Sequence, residues 1–187
     1  AFRGVLRTHP KALLMLAPRR PERFDEAFAL VREAGLRCVR RSAWQSEPAD
    51  GKGKPKSKLS GSVLLLDSIG ELAALYKLAT IALVGGSLEP RGGHNILEPA
   101  QFGVPVVVGP HMENFRDIMS TFAENKAVLQ LEKTSAGAIE RCLLALLQDT
   151  DRRQAMGAAA LDVLRRQQGA TARTLHALKP FLESTAQ

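Results

Sequence analysis

Residues 85–98 read Gly-Gly-Ser-Leu-Glu-Pro-Arg-Gly-Gly-His-Asn-Ile-Leu-Glu, and this segment constrains the fold more than any other. An apolar β-type run at residues 80–84 precedes it, and a second at residues 104–108 follows. Glycine has no Cβ, so such a segment can adopt positive φ and lie close against a ligand. The segment then enters a short helix whose first N–H groups have no partner of their own. That arrangement favours an anion, typically a phosphate. Glu98 falls in the first turn of this helix. A carboxylate only accepts hydrogen bonds, so it suits a sugar or ribose hydroxyl and not a phosphate. Phosphate donors beside a hydroxyl acceptor point to a nucleotide or nucleotide-sugar. The competing reading is a loop that merely needs positive φ. Its place at the end of a strand favours the ligand, because open α/β sheets bind ligands at the carboxyl ends of their strands.

The rest of the chain alternates in the same way. Apolar runs predict strands at 12–17, 36–41, 62–66, 80–84 and 104–108, with a short edge strand at 128–131. Helices are predicted at 22–34, 70–78 and 114–126. The first opens at Pro21 and ends at Gly35, with Phe24, Ala27, Phe28 and Val31 on one face. From residue 135 to 184 the chain reads as helical, broken near 149–151 and at Gly169. Apolar strands alternating with helices predict an α/β fold: a Rossmann-like parallel sheet with helices on both faces, one domain over residues 1–187. Residues 46–61 combine Pro, Gly and four lysines and have almost nothing to bury. They read as a disordered surface loop, or as one drawn to an anionic membrane surface.

Composition narrows the function. The apolar fraction of 45% suits a soluble globular protein, and no run of 18 apolar residues is present. No secretory signal is visible, and the start at Ala1 without Met reads as a fragment or a processed piece. Cys38 and Cys142 have apolar neighbours and read as buried free thiols, which fits a reducing compartment. The net charge of +7 is uneven: residues 1–60 carry 14 Lys and Arg against 6 Asp and Glu, whereas residues 61–187 carry 12 against 13. Anionic lipid or a phosphorylated substrate suits the basic part. Nucleic acid does not, since aromatics make up only 5% and none interleaves with a basic run. The four histidines are far apart and show no metal-ligand spacing.

Four segments, in this order and spacing, carry a family resemblance. They are Ala17-Pro18-Arg19-Arg20-Pro21-Glu22-Arg23-Phe24, Asp67-Ser68-Ile69-Gly70-Glu71-Leu72, Gly85-Gly86-Ser87-Leu88 with Arg91-Gly92-Gly93-His94-Asn95-Ile96-Leu97-Glu98-Pro99, and Gly109-Pro110-His111 with Asn114-Phe115. Together they resemble the C-terminal half of 3-deoxy-D-manno-octulosonic acid (Kdo) transferases. The resemblance implies the C-terminal domain of a GT-B glycosyltransferase, the half that binds the CMP-Kdo donor. It implies a full-length enzyme that transfers Kdo to a lipid A precursor in lipopolysaccharide biosynthesis, at the cytoplasmic face of the bacterial inner membrane. The catalytic base, the membrane anchor and the acceptor site would lie in an N-terminal domain. No catalytic residue and no turnover are then expected of this fragment, and no cofactor. The family motif commonly has His where this chain has Arg20, and a guanidinium cannot titrate near neutrality.

Matched position by position, the resemblance marks Pro18, Arg19, Asp67, Gly70, Glu71, Gly85, Gly86, Ser87, Leu88, Gly92, Gly93, His94, Asn95, Glu98 and Asn114 as donor-binding. Each has a structural alternative. Arg19 offers a fork to a phosphate or carboxylate, or is a plain surface arginine. Asp67 contacts the nucleoside, or caps the following short helix with help from Ser68 or Glu71. Asn95 is a good N-cap, and Glu98 either completes a capping box with it or accepts from the ribose. His94 faces phosphate or orients the loop. Asn114, like His111, follows a strand at the ligand edge, and it contacts the donor sugar or caps a helix. Two other function classes stay open. One is a different GT-B sugar-nucleotide enzyme, such as a UDP-sugar transferase or epimerase. The other is a non-catalytic nucleotide-binding module.

Overall fold

The structure, a computed structural model, describes residues 1–46 and 59–167. These fall into two compact units. The first comprises Ala1–Leu78 with Lys133–Gln148, and the second Ala79–Glu132 with the chain from Asp149 onward. Each unit holds a three-stranded, wholly parallel sheet served by helices, so the α/β, Rossmann-like expectation is met.

In the first unit, β1 (Leu14–Leu16) and β2 (Cys38–Arg40) flank β3 (Val63–Leu65). The central strand is fully buried, and its neighbours Ser62 and Leu66 are buried with it. The 12–17 run was expected to form a buried strand. It gives a half-buried one, because β1 is an outer strand paired only to β3 within this sheet. Helix α2 (Phe24–Glu33) turns the expected face inward: Phe24, Ala27, Phe28 and Val31 are half-buried. It ends at Gly35, whose φ is +71°. The N–H groups of Gly35 and Leu36 donate to the carbonyls of Arg32 and Val31, closing the helix end with a left-handed residue. After β3 comes the short helix α4 (Leu72–Leu75), continued as a 3-10 turn over Tyr76–Leu78.

Two helices of this unit escape the sequence reading. Helix α1 (Phe2–Thr8) has seven residues and no side-chain cap, too little to hold a helix alone. Helix α7 (Ala136–Gln148) supplies what is missing. The Glu140 carboxylate occupies the space a Cβ on Gly4 would need and pairs with Arg7 at 3.0 Å. Helix α3 (Arg41–Ser46) begins where the strand was expected to finish. Cys38 on β2 and Cys142 on α7 form no disulfide. Both are half-buried where burial was expected, Cys38 because it lies on an outer strand.

In the second unit, β5 (Val106–Val108) is central between β4 (Ala82–Val84) and β6 (Val128–Gln130). All three valines of β5 are completely buried. One core gathers Ile96, Ala100, Met112, Met119, Phe122, Ala160 and Val163 around Val106 and Val108. Ala160 and Val163 come from α8 (Thr150–Gln167), Met119 and Phe122 from α6 (Arg116–Glu124), and Ala100 from α5 (Leu97–Ala100). Close contact between α8 and the turn after α5 needs glycine: a Cβ on Gly157 would lie 2.0 Å from the Gly103 carbonyl oxygen. The helical tail runs as expected through α7 and α8, with its break at Asp149. Its continuation to residue 184, and most of the 46–61 loop, lie outside the described residues. No helix among the described residues is long and apolar enough to cross a membrane.

Helix α6 ends with the same hydrogen-bond pattern as α2. Lys126 N donates to Ala123 O at 3.0 Å and Ala127 N to Phe122 O at 2.8 Å. Here the left-handed position holds Lys126, at φ 56°, where glycine is the usual occupant. Lys126→Gly relieves the crowding of Cβ by the backbone. It should raise unfolding stability by about 0.5–1 kcal/mol, read as a higher urea midpoint at unchanged m-value. An equal or lower midpoint would show that Lys126 is not strained.

Candidate functional site

The predicted site residues are shared between the units. Pro18, Arg19, Asp67, Gly70 and Glu71 belong to the first, and the others to the second. In both units they follow the carboxyl ends of parallel strands, the edge at which α/β sheets bind ligands.

In the first unit, half-buried Pro18 and exposed Arg19 follow β1. Asp67 and Glu71 follow β3, and both carboxylates are occupied within the fold. The Asp67 side chain is only 6% exposed. Its Oδ1 accepts from Ser42 N at 2.9 Å and its Oδ2 from Ser42 Oγ at 2.6 Å. Asp67 thus caps a helix, as the sequence allowed, but the helix is α3 and not the one that follows it. Arg40 Nη1 approaches Asp67 Oδ2 to 3.8 Å. The same guanidinium also pairs with Asp25 and lies 4.7 Å above the Phe28 ring. Glu71 accepts from Arg41 at 2.9 Å and from the Ser68 hydroxyl. Between the two carboxylates, Ile69 is 82% exposed and Gly70 has φ +91° with open space around it. Burial pushes the Asp67 carboxyl up. The Ser42 hydroxyl and N–H, its own backbone and Arg40 outweigh burial, so it titrates below the ordinary carboxylate value.

In the second unit, β4 leads into a 3-10 turn, Gly85–Ser87, and Leu88 N closes on Gly85 O at 3.1 Å. Gly92 and Gly93 take the positive φ expected, +81° and +80°. The glycines also make room for the protein's own side chains. A Cβ on Gly86 would lie 2.4 Å from the His94 ring, and one on Gly92 would lie 2.1 Å from Asn114 Nδ2. The loop after β5 is drawn to the glycine-rich loop by backbone bonds, His111 N to Ser87 O at 3.1 Å and Asn114 N to Gly92 O at 3.2 Å. Ser87 is fully buried and its hydroxyl is engaged inside the unit. His111 Nδ1 faces Glu113 Oε1 at 3.3 Å.

The two alternatives for Asn95 and Glu98 separate here. Asn95 Oδ1 accepts from Leu97 N at 3.0 Å, so Asn95 caps α5. Half-buried Glu98 does not complete the capping box. Its carboxylate has no hydrogen-bond or ion-pair partner among the described residues. Asn95, Leu97, Glu98 and Gln101 of α5 and its cap, with Leu164 of α8, line an open groove of about 300 Å³. Gln101 and Leu164 were missed by sequence reasoning. Gln101 was within reach of it, since it lies three residues after Glu98 and so on the same helix face. Leu164 was not, being brought there by tertiary packing. Among the described residues, no three His, Cys, Asp or Glu gather as metal ligands do.

No protein-family model matches the chain. The 3-deoxy-D-manno-octulosonic acid transferase of Haemophilus influenzae is 39% identical over 183 residues, which is 98% of this chain and 40% of that protein. The enzyme of the same name from Bordetella pertussis is 40% identical over 183 residues, 96% of this chain and 40% of its own length. The chain therefore spans about two fifths of these curated relatives. The crystal structure of the C-terminal CMP-Kdo binding domain of WaaA from Acinetobacter baumannii superposes with a TM-score of 0.74 at 36% identity. The match covers 87% of this chain and 79% of that domain.

Asp67 provides a pH-dependent test of the first-unit site. Its folded pKa lies below the unfolded one, so its contribution is complete above about pH 4 and disappears as pH falls through the depressed value. Asp67→Asn should cost about 1–2 kcal/mol at pH 7, and urea unfolding should show that cost shrinking below about pH 4. A cost that does not vary with pH would mean that the charge of Asp67 does not contribute.

Proposed function

The chain belongs to the Kdo transferase family, and we propose that it is the donor-binding domain of such an enzyme, taking CMP-Kdo. The whole protein is then a GT-B glycosyltransferase that moves Kdo to a lipid A precursor in lipopolysaccharide biosynthesis. It works at the cytoplasmic face of the inner membrane. In this reading the catalytic base and the acceptor site lie in the N-terminal part of the longer enzyme. The chain alone binds the donor without turning it over.

One observation carries the reading: Glu98 is a half-buried carboxylate without a partner among the described residues, beside an open groove and directly after the glycine-rich loop. An uncommitted carboxylate keeps both oxygens free to accept from a ligand. A ribose offers two adjacent hydroxyl donors, and a carboxylate has two oxygens to accept them. Gly85 has open space where its Cβ would be, so a phosphate can come close to the backbone there. CMP brings a single phosphate, which needs less neutralisation than a diphosphate. We assign the nucleotide to Gly85, Gly86, Leu88, Gly92, Gly93, His94, Asn95 and Glu98, and the donor sugar to Asn114. In the first unit, taken by itself, Pro18, Arg19 and the backbone around Gly70 stand at strand carboxyl ends, while the Asp67 and Glu71 side chains are engaged within the fold.

Titration of the 187-residue chain with CMP, followed by amide NMR with UDP as control, tests this. Saturable CMP shifts are expected at Gly85, Gly86 and Glu98. Glu98→Gln should weaken CMP about tenfold, the loss of about 1.4 kcal/mol of ribose contact, without moving the unfolding midpoint. An equal response to UDP would favour another sugar-nucleotide enzyme. No saturable response to CMP would overturn the donor assignment.

A further inference from the structure

Ser87 is a polar residue with no exposed surface at the centre of the proposed donor site. Its hydroxyl donates to Val84 O at 2.5 Å and accepts from Gly109 N at 2.6 Å. A hydroxyl has one proton to give and lone pairs to receive, so both roles are filled inside the protein. Val84 ends β4 and Gly109 follows β5, so the side chain bridges the carboxyl ends of two neighbouring strands. Its carbonyl adds a third link by accepting from His111 N. The approach is so close that a Cβ on Gly109 would lie 2.3 Å from the Ser87 carbonyl oxygen.

The same two loops meet at a second seam. Gly92 O accepts from Asn114 N, the Asn114 carboxamide fills the space above Gly92, and Met112 Sδ fills the space above Gly93. The glycine-rich loop is therefore fastened to the loop after β5 near its beginning and again in its middle. One loop carries Gly85, Gly86 and His94, and the other carries Asn114.

We infer that Ser87 is a positioning residue: its buried hydroxyl bridge locks these two loops together and so sets the donor contacts on both at once. Its functional meaning rests on the donor-binding reading. With no exposed surface and both roles of its hydroxyl filled, the Ser87 side chain acts through the loops it joins. Removing the hydroxyl leaves Gly109 N–H buried without its partner, which favours displacement of the 109–111 backbone. The second seam passes the change to Gly92 and Asn114.

The test compares the 187-residue chain with Ser87→Ala, Ser87→Cys and Val163→Ala. Val163 is buried in the same core but far along the sequence from either loop, so it controls for loss of stability alone. In ligand-free Ser87→Ala, amide signals of Gly92, His111 and Asn114 should move. The CMP half-saturation point should rise about tenfold, with Ser87→Cys intermediate because a thiol is a weak donor and acceptor. Val163→Ala should lower the unfolding midpoint and leave CMP half-saturation unchanged. Shifts confined to residues 84–88, or equal losses of CMP affinity in Ser87→Ala and Val163→Ala, would overturn the inference. If Ser87→Ala does not fold, Ser87→Cys gives the same two readouts. If the unmodified chain fails to bind CMP, the donor reading falls, while the ligand-free amide shifts still decide whether the bridge couples the loops.

Discussion

The second unit depends on a strand that water does not reach. Val106, Val107 and Val108 are fully buried, paired on one side to β4 and on the other to β6. A strand covered on both faces cannot shift its register by a residue without redirecting every side chain. Its carboxyl end is therefore a fixed point. Gly109 leaves that point and receives Ser87, and Gln130 at the end of β6 donates to Gly109 O at 3.3 Å. The loops that carry the proposed site start from a place the apolar core has already settled, and little further ordering is left for the ligand to drive. Such preorganisation reduces the cost of binding.

The acidic residues of the sequence motifs divide by what they touch. Asp67 and Glu71 answer Arg40, Arg41 and Ser42 at the corner where β2 becomes α3. That corner replaces a predicted strand end with a helix, and Asp67 is what makes the exchange tolerable. The N–H of Ser42, in the first turn of that helix, donates to Asp67 Oδ1. Glu98 has the same chemistry and a different situation, since Asn95 already caps α5 and leaves it uncommitted. A carboxylate in a binding motif is thus not by itself a ligand contact. Asp67 and Glu71 are engaged within the fold, whereas Glu98 has no partner among the described residues.

Much of the second unit was legible in sequence, because its signals are local. Apolar runs bounded by glycine give β4 and β5, the Asn95 cap is written in its own dipeptide, and the positive φ of Gly92 and Gly93 follows from residue type. What could not be read depends on partners distant along the chain. Helix α1 needs Glu140 from α7, and α3 needs Asp67, 25 residues away. The left-handed Lys126 hid because lysine carries no mark of that conformation. The groove needed Leu164, which only the packing of α8 brings to α5. Half-burial of β1 and of Cys38 followed from sheet order, which an apolar run does not encode.

The glycine-rich segment shows how a correct signal can carry more than one meaning. Its glycines read as places where a ligand meets bare backbone. In the structure, the space above Gly86 belongs to the His94 ring, that above Gly92 to Asn114, and that above Gly93 to Met112. Those three absences of a Cβ let the loop fold onto itself and onto its neighbour. Gly85 alone of the four faces open space. Three glycines build the shape of the loop, and the fourth leaves a surface that something else can approach. A loop built this way cannot be judged by counting its glycines, because only the position with an unfilled Cβ speaks about the ligand.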